Sequence, residues 1–491
     1  MSAATRAPDE ALGTRYEMVV GLEVHVQLRT RTKAFCSCSA SYGAPPNANT
    51  CPVCLALPGT LPVLNHQAVL LAVRAARSLG CTVHPISVFA RKNYFYPDLP
   101  KGYQISQYDQ PLATGGCIAI GERADKTPIS VRITRVHMEE DAGKSIHDRY
   151  RGMTAIDLNR AGVPLIEVVS EPDMRSAVEA GAYLRVLRQL LEYADVSDVS
   201  MEEGSLRVDA NISIRERGET RLGTKTEVKN MNSFSGVERA LEAEFRRQSA
   251  LLERGQPVVQ QTLLWDAARG DVRPSRAKEG SHDYRYFPEP DLPPLVLTAE
   301  WIAHQEKSLP ELPAGKRQRF ASTYQLSAYD IELLTASPRL ADYFESVASA
   351  HGDAKAAANW VMGEVLKEVN SLGIGIREFR IRPQDLARLL DLVRDDLVSH
   401  SAAKRIFAIM SRTGDRPEQV AEREGLLQVG DRDQLSRWVD EVLAENPTEA
   451  ARFRAGETKL LGVLVGLVMK RSRGSADPRR VNQLLSERSG A

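Results

Sequence analysis

In the stretch Leu22-Glu23-Val24-His25-Val26-Gln27-Leu28, apolar and polar residues alternate strictly. Successive side chains of a β-strand point to opposite faces, so Glu23, His25 and Gln27 share one face and the two valines share the other. The pattern therefore predicts a half-buried strand. Its polar face combines a carboxylate with an imidazole, and both groups are common metal ligands.

A second stretch, residues 207–214, repeats this pattern. Arg207, Asp209, Asn211 and Ser213 fall on one face, and the intervening valine, alanine and isoleucines fall on the other. Two strands with charged faces predict a site between them.

The residue patterns of the chain divide it into a sheet-forming part and a helical part. Up to about residue 292, short alternating or β-branched runs are punctuated by glycine and proline, which is typical of an α+β domain. A proline-dense stretch at 287–294 follows, and helical spacing dominates after it. We expect a disordered N-terminus at 1–15, an antiparallel-sheet domain at 16–294 and two all-α domains at 295–400 and 401–491.

Local signals predict where individual helices begin and end. Asn65 is a suitable N-cap for a helix that stops at Gly80. Ser176 and Glu179 form a capping box before a helix that ends near Tyr193. In the second part, the spacing predicts helices at 300–308, 343–349, 356–370, 387–397, 404–411, 433–445, 459–470 and 478–487.

Composition excludes several classes of protein. The first fifteen residues lack the apolar core of a signal peptide, and the uncharged apolar run 460–469 is shorter than the roughly 20 residues of a membrane-spanning helix. We therefore expect a cytoplasmic protein that does not bind membranes. The 64 basic and 64 acidic residues balance, but residues 451–491 carry nine basic and three acidic residues, a basic tail.

Four of the six cysteines form two close pairs, Cys36 with Cys38 and Cys51 with Cys54. In a cytoplasmic protein, such pairs predict a metal site rather than disulfides, and four thiolates close a tetrahedral zinc site. The zinc would be structural, because four sulfur ligands leave no position for water. The alternative is four buried free cysteines.

Further charged strand faces accompany the first two. Residues 137–141 read His-Met-Glu-Glu-Asp, and alternation groups Glu139 with the histidine and the aspartate. It leaves open whether Glu139 or Glu140 faces a metal ion, because a carboxylate on the apolar face needs only a cationic partner. Lys225, Glu227 and Lys229 form another face. The alternative is that all these residues are ordinary solvent-facing positions of antiparallel strands.

Known nucleotide and hydrolase motifs are missing from the sequence. Gly143-Lys144-Ser145 resembles the end of a P-loop, but Met138 occupies the position of the required earlier glycine. The sequence has no GxSxG elbow, so a hydrolytic half-reaction would come from another chain. The aromatic runs at 94–96 and 284–287 line either a groove for a nucleotide end or part of the core.

Seven motifs together resemble one family. They are VGLEVH (20–25), KNYFYPD (92–98), YQISQ (103–107), HMEEDAGK (137–144), DLNR (157–160), MEEGSLR (201–207) and DYRYFPEP (283–290). The chain is similar, from residue 16 onward, to the B subunits of bacterial aspartyl/glutamyl-tRNA(Asn/Gln) amidotransferases.

The resemblance implies a ligase that forms a carbon–nitrogen bond with glutamine as amido donor. ATP would phosphorylate the side-chain carboxylate of Glu-tRNA(Gln) or Asp-tRNA(Asn), and ammonia from a glutaminase A subunit would displace the phosphate. A small C subunit would complete a heterotrimer, which the cognate non-discriminating aminoacyl-tRNA synthetase would join. The family fold implies that residues 16–294 form a cradle domain, with a four-cysteine zinc knuckle at 36–54, and that the tail binds tRNA. The alternative is a non-catalytic tRNA-binding scaffold.

The resemblance also implies roles for particular residues. The magnesium ligands would be Glu23, His25, Glu140 and Asp209, with Glu139 adjacent, which favours Glu140 in the choice that alternation leaves open. Contacts with phosphate or with the tRNA end are expected from Arg207, Lys225 and Lys229. In the tail, tRNA contacts are expected from Lys470, Arg471, Arg473, Arg479 and Arg480, and such binding would depend on salt.

Overall fold

The computed structural model describes residues 15–123, 125–275, 284–428, 432–472 and 476–489. The predicted N-terminal disorder, Arg473 and Asp283 thus fall outside the described residues, although Arg15 is described and pairs with Glu216. The chain divides into two units at the junction of Pro313 and Ala314. The first is a mixed α+β unit built on a large sheet and the second is helical, which confirms the broad fold class predicted from the sequence.

The strands, in chain order, are β1 Tyr16–Gln27, β2 Thr82–Val83, β3 Ile86–Ser87, β4 Ala90–Asn93, β5 Tyr103–Ser106, β6 Ala113–Thr114, β7 Cys117–Glu122, β8 Pro128–Glu140, β9 Lys144–Tyr150, β10 Met153–Asp157, β11 Pro164–Ser170, β12 Leu206–Glu216, β13 Thr226–Met231, β14 Thr262–Asp266, β15 Asp271–Pro274, β16 Phe287–Pro288 and β17 Leu295–Val296. The main sheet has the order β15-β14-β13-β12-β1-β11-β8-β6-β2, and β7 pairs with β8. Neighbouring strands in this sheet run antiparallel, except that β13 and β14 run parallel.

Strand β1 lies near the middle of this sheet and follows the predicted alternation. Leu22, Val24 and Val26 are fully buried, whereas Glu23 and His25 on the other face are partly accessible. The register pairs Glu23 with Asp209 of β12, and His25 with Glu167 of β11. The sheet therefore carries one apolar and one polar face at its centre.

Three helices of the first unit cover the apolar face. They are α1 His66–Ser78, α2 Ala177–Tyr193 and α3 Phe234–Glu253, and their buried side chains form one hydrophobic cluster with those of β1. The predicted caps are confirmed, because the side chain of Asn65 accepts from the N–H groups of Gln67 and Ala68, and that of Ser176 accepts from Glu179. The predicted helix ends are also confirmed. Helix α3 was not predicted.

Smaller sheets and one short helix complete this unit. Strands β16, β4 and β5 form a three-stranded sheet, while β9 pairs with β10 and β17 pairs with β3. The helix is α4 Ala299–Lys307. Its extent confirms the helix predicted at 300–308.

The second unit consists of helices α5 Pro313–Tyr324, α6 Ala328–Leu334, α7 Pro338–His351, α8 Ala354–Trp360, α9 Leu366–Leu372, α10 Pro383–Arg394, α11 His400–Thr413, α12 Pro417–Arg423, α13 Arg432–Glu445, α14 Pro447–Arg454, α15 Leu460–Arg471 and α16 Pro478–Ser489. The predicted helix at 356–370 is interrupted by a π-helical turn, Val361–Val365. One hydrophobic cluster spans 320–421 and another spans 435–485. The buried side chains of α11 belong to the earlier cluster, and the proposed division at 400/401 stays a prediction.

None of the helices in the described part of the chain combines the length and apolar composition needed to cross a membrane.

Candidate active site on the polar face of the sheet

A row of charged side chains crosses five adjacent strands on the polar face. The row comprises Glu227 of β13, Asp209 of β12, Glu23 and His25 of β1, Glu167 of β11, and His137 and Glu139 of β8. These strands come from distant parts of the chain, and the antiparallel register brings them together. Within the row, two groups of three residues could each hold a cation.

The first group consists of His25, Glu139 and Glu167, whose ligand atoms lie within 4.8 Å of one another. Nε2 of His25 is 3.3 Å from Oε2 of Glu167. Both carboxylates are buried. Two carboxylates and one imidazole within this distance could bind a divalent cation.

Several polar groups orient Glu139. Its Oε1 accepts a 2.6 Å hydrogen bond from Oγ of Ser106, and its Oε2 accepts one of 3.1 Å from Nε2 of Gln104. Nζ of Lys92 is 3.8 Å from Oε1. Burial alone would raise the pKa of Glu139, but Lys92 and His137 outweigh it and lower the pKa to about 2. The carboxylate is therefore ionised and held in place.

His137 lies between the two carboxylates of the first group. Its Nε2 is 3.4 Å from Oε1 of Glu139 and 3.3 Å from Oε2 of Glu167. Burial lowers the pKa of His137, but the two carboxylates outweigh burial and raise it to about 9. The same histidine, together with His25, holds the pKa of Glu167 well below its usual range, despite burial. The positive charge of His137 thus offsets part of the negative charge of Glu139 and Glu167.

The second group consists of Glu23, Asp209 and Glu227, also with ligand atoms within 4.8 Å. Nζ of Lys229 is 2.7 Å from Asp209 and 3.0 Å from Glu227, which partly offsets their charge. Burial, followed by the neighbouring Glu167 and Glu227, raises the pKa of Glu23. Three oxygen ligands with excess negative charge suit a hard cation such as magnesium.

Glu140 lies in neither group. On β8, its side chain and that of Glu139 lie on opposite faces of the strand. The carboxylate of Glu140 pairs with Lys101 and accepts a 3.0 Å hydrogen bond from the N–H of Ile105. Strand alternation explains this placement, because neighbouring residues face opposite sides. The geometry therefore brings together Glu23, His25, Glu139 and Asp209, and it separates Glu140 from them.

The three predicted phosphate or tRNA-end contacts occupy different positions around the row. Arg207 lies 3.0 Å from Asp141, which also accepts a hydrogen bond from Gln27. Lys229 contacts the second group directly. Lys225 is exposed and lines a cavity of about 260 Å³ together with Glu23.

Two ligand candidates were not predicted as ligands: Glu227, which the sequence places on a charged strand face, and Glu167, which sequence reasoning missed altogether. Glu167 lies in Pro164-Leu-Ile-Glu-Val-Val-Ser170, a run that is otherwise apolar except for its last residue. A lone carboxylate in a buried strand needs polar partners, so this Glu was a detectable signal. Its partners, however, come from two other strands, and local sequence does not reveal them.

The cysteine quartet forms a separate candidate metal centre. The four Sγ atoms lie within 4.8 Å of one another, with Cys36 and Cys54 3.6 Å apart and Cys51 and Cys54 3.8 Å apart. A tetrahedron with zinc–sulfur bonds of about 2.3 Å has edges of about 3.8 Å. Nζ of the fully buried Lys33 lies 3.3 Å from Sγ of Cys54 and can offset thiolate charge. The donor set therefore fits zinc.

The four predicted tail contacts that the structure describes lie on helices α15 and α16. Lys470 is exposed, and so is Arg471, which pairs with Glu441 and Glu445. Arg479 lies 3.5 Å from Asp396, and Arg480 lies 3.5 Å from Asp477. These exposed cations are accessible to a polyanion, although three of them already have acidic partners.

Comparison with known proteins identifies the family. The family described as GatB/GatE catalytic domain matches residues 18–303, and the one described as GatB domain matches residues 342–488. The chain is 51% identical over 470 residues to the B subunit of the aspartyl/glutamyl-tRNA(Asn/Gln) amidotransferase of Chlorobium chlorochromatii, covering 96% of this chain and 98% of that protein. It is 50% and 51% identical to the corresponding proteins of Thermoanaerobacter pseudethanolicus and of Moorella thermoacetica, over 96% of this chain and 99% of each relative. The chain therefore belongs to the family of aspartyl/glutamyl-tRNA(Asn/Gln) amidotransferase B subunits.

Proposed function

We propose that this chain is the phosphorylating component of a tRNA-dependent amidotransferase and that the polar face of its sheet is the active site. An oxygen of the side-chain carboxylate of Glu-tRNA(Gln) or Asp-tRNA(Asn) attacks the γ-phosphorus of ATP, and ADP leaves. Ammonia then attacks the acyl phosphate carbon, and phosphate leaves to give the amide. Phosphorylation is needed because a carboxylate is a poor acyl electrophile.

The charged row supplies the groups that this reaction requires. His25, Glu139 and Glu167, together with Glu23, Asp209 and Glu227, would hold magnesium. The family resemblance implies Glu140 as a further ligand, but its carboxylate pairs with Lys101 outside both groups, so we do not assign it that role. Bound there, magnesium would neutralise charge on the phosphate oxygens. The fit rests on the spacing of the six ligand atoms in two groups and on the burial of Glu139 and Glu167.

Cationic side chains beside the row would orient the phosphates. Lys229 sits against Asp209 and Glu227, so a phosphate oxygen near these ligands lies within its reach. Lys225 lines the cavity next to Glu23. Arg207 of β12 lies opposite His25 in the register and is held by Asp141, which suits contact with the tRNA end.

Partner chains would supply the remaining steps. Because the sequence lacks a recognisable hydrolytic nucleophile motif, we assign ammonia production to a glutaminase A subunit and assembly to a small C subunit. The mischarged tRNA, delivered in the cytoplasm with the cognate synthetase, would contact Lys470, Arg471, Arg473, Arg479 and Arg480. The zinc centre, with four sulfur ligands, would be structural.

The observation that carries this proposal is the convergence of acidic and histidine ligands from five strands on one sheet face. The test is an assay of the reconstituted complex with ATP labelled at the γ-phosphate and Glu-tRNA(Gln). We expect Asp209→Asn to reduce phosphoryl transfer at least 100-fold while the Kd for tRNA stays within twofold. Glu216→Gln, on the same strand but exposed beside Arg15, is the matched control.

Undiminished phosphoryl transfer by the Asp209→Asn variant would support the alternative of a non-catalytic tRNA scaffold. Assays with each mischarged tRNA in turn would also establish which substrate the complex amidates.

A further inference from the structure

The loop between the two cysteine pairs is fastened to the segment 156–160. The side-chain amide of Asn47 donates a 2.9 Å hydrogen bond to the carbonyl oxygen of Ile156, and its Oδ1 accepts one of 2.7 Å from the N–H of Leu158. Asn47 is exposed and has a φ of 60°, a left-handed conformation that asparagine adopts more readily than most residues. One surface side chain thus binds the backbone of a distant segment.

Asn159 makes the reciprocal contact. Its Nδ2 donates a 2.7 Å hydrogen bond to the carbonyl oxygen of Pro45, and its Oδ1 accepts one of 2.8 Å from the N–H of Asn49. We call Asn47 and Asn159 the asparagine clasp. Each member donates to and accepts from the backbone of the other segment, so the clasp fixes the two segments relative to each other.

Lys33 connects the same segment directly to the cysteine quartet. Its side chain is fully buried, and its Nζ lies 3.3 Å from Sγ of Cys54 and donates a 3.1 Å hydrogen bond to the carbonyl oxygen of Leu158. A buried ammonium requires a negative partner. Lys33 and the thiolates of the quartet therefore stabilise each other's charge.

Arg160 connects the segment to the turn that follows β8. Its guanidinium donates to the carbonyl oxygens of Ala142 and Gly143, at 2.9 and 2.6 Å, and lies 3.6 Å from Oδ1 of Asp141. Gly143 has no room for a side chain, because a Cβ there would lie 2.9 Å from the carbonyl oxygen of Asp157. The turn and the segment are thus in close contact.

Asp141 extends this connection to the charged row. It is buried, and its Oδ2 accepts a 2.8 Å hydrogen bond from Nε2 of Gln27 and lies 3.0 Å from the guanidinium of Arg207. Arg207 is the register partner of His25. The position of Arg207 on the polar face therefore depends on where Asp141 is held.

We propose that the cysteine centre positions Arg207 through the asparagine clasp, Lys33, Arg160 and Asp141. With zinc bound, the quartet orders the loop, the clasp and Lys33 hold the segment 156–160 against it, and Arg160 holds Asp141. All of these are positioning residues, because none contacts a reacting atom. The inference rests on the proposed function, from which it takes the contact of Arg207 with the tRNA end.

The zinc site alone does not require these connections. Four sulfur ligands complete the tetrahedron, and neither the clasp nor Lys33 supplies a ligand. Hydrogen bonds between the loop and another segment instead couple zinc binding to the position of that segment, and such coupling is reciprocal. Groups that surround the ligands of a metal commonly change its affinity about 10- to 100-fold. Breaking the clasp should therefore weaken zinc binding.

The experiment uses the complex reconstituted with its partner chains. Asn47→Gly removes the exposed half of the clasp, and glycine adopts the left-handed backbone without strain. Arg160→Met breaks the contact with Asp141, Cys51→Ser removes a zinc ligand, and a fourth variant combines these two changes. Asn370→Ala, which alters an exposed asparagine of α9, is the matched control. Competition with a chelating dye gives the Kd for zinc, and steady-state kinetics give kcat and both KM values.

We expect Asn47→Gly to raise the Kd for zinc about tenfold, and Asn370→Ala to leave it within twofold. With a zinc-selective chelator present, Cys51→Ser should raise the KM for Glu-tRNA(Gln) about fivefold, and Arg160→Met should do the same. The KM for ATP should stay within twofold. The combined variant should also show about a fivefold increase, because both changes interrupt one connection.

Three results would overturn the proposal. They are an unchanged Kd for zinc in Asn47→Gly, a KM increase in the combined variant equal to the product of the two single increases, and a lower kcat in Cys51→Ser with both KM values unchanged. The last result would mean that zinc only keeps the complex folded. Failure of the unaltered complex to phosphorylate charged tRNA would instead reject the proposed function, and the Kd for zinc, which needs no phosphoryl transfer, distinguishes that outcome.

Discussion

Nε2 of His25 lies 3.3 Å from Oε2 of Glu167, across the register that joins β1 to β11. Glu167 is also 3.3 Å from His137, so one carboxylate connects two imidazoles from different strands. This connection makes Glu167 the centre of the first ligand group.

Glu167→Gln should therefore impair the active site more than its position in an apolar strand suggests. The change keeps the shape of the side chain but removes a charge that offsets His25 and His137. We expect phosphoryl transfer to Glu-tRNA(Gln) to fall at least 100-fold, as measured with labelled ATP. Glu171→Gln, just beyond the same strand, is the control and should retain activity.

The neighbours Glu139 and Glu140 provide a matched pair for locating the cation. Since Glu139 faces His25 and Glu140 faces Lys101, we expect Glu139→Gln to raise the magnesium concentration for half-maximal activity at least tenfold. Glu140→Gln should change it less than twofold. The reverse result would restore the ligand role that the family resemblance implies for Glu140.

Stability in the absence of divalent cations should depend on pH through His137 and Glu139. The raised pKa of His137, about 9, means that its contribution is complete below its ordinary value near 6.5 and is lost as pH rises through 9. The lowered pKa of Glu139, about 2, means that its contribution is complete above about 4.5 and is lost as pH falls toward 2.

With chelator present, we thus expect the free energy of unfolding to decrease by about 3 kcal/mol between pH 6.5 and pH 9. Denaturant titrations at both pH values would measure it. His137→Gln should flatten the decrease, and an equally steep decrease in that variant would assign it to other groups.

Purified protein should contain about one zinc per chain, because the quartet offers one tetrahedral set of ligands. Cys51→Ser removes a ligand and should lower the zinc content severalfold, because three thiolates hold the ion less tightly. Elemental analysis measures the content, and limited proteolysis should show faster cleavage within 39–50. Cys117→Ser, which alters an exposed cysteine outside the quartet, should leave both unchanged.

The basic tail should give tRNA binding much of its salt dependence. Replacing the exposed Lys470 by Glu should weaken binding about tenfold at physiological salt and reduce the slope of log Kd against log salt by about one per lost contact. Arg423→Glu, an exposed cation on α12, is the control. Identical slopes for the two variants would argue against Lys470 as a phosphate contact.

The sequence alone predicted those strands and helix ends whose signals lie in neighbouring residues. The alternation of residues 22–28 predicted β1 and its polar face, and Asn65 and Ser176 predicted two helix starts. The π-helical turn at Val361–Val365 was not predicted, because residue spacing indicates a helix there without distinguishing a rare π-helical turn from α-helical ones.

The set of residues that form the site was harder to predict than the strands that carry them. The polar faces of β1 and β12 were predicted, but strand order and register decide which residues meet, and both depend on long-range pairing. Glu167 and His137 join the row only because β11 lies between β1 and β8. The choice between Glu139 and Glu140 likewise depends on which residues of β8 point to the polar face of the sheet.

The five strands of the charged row span residues 16 to 231, and neither ligand group can be assembled from consecutive strands alone. A ribosome-bound chain that has not yet released β13 has no complete second group. Cation binding by the second group would thus require that synthesis has passed β13, and a chain terminated before that strand would lack this group.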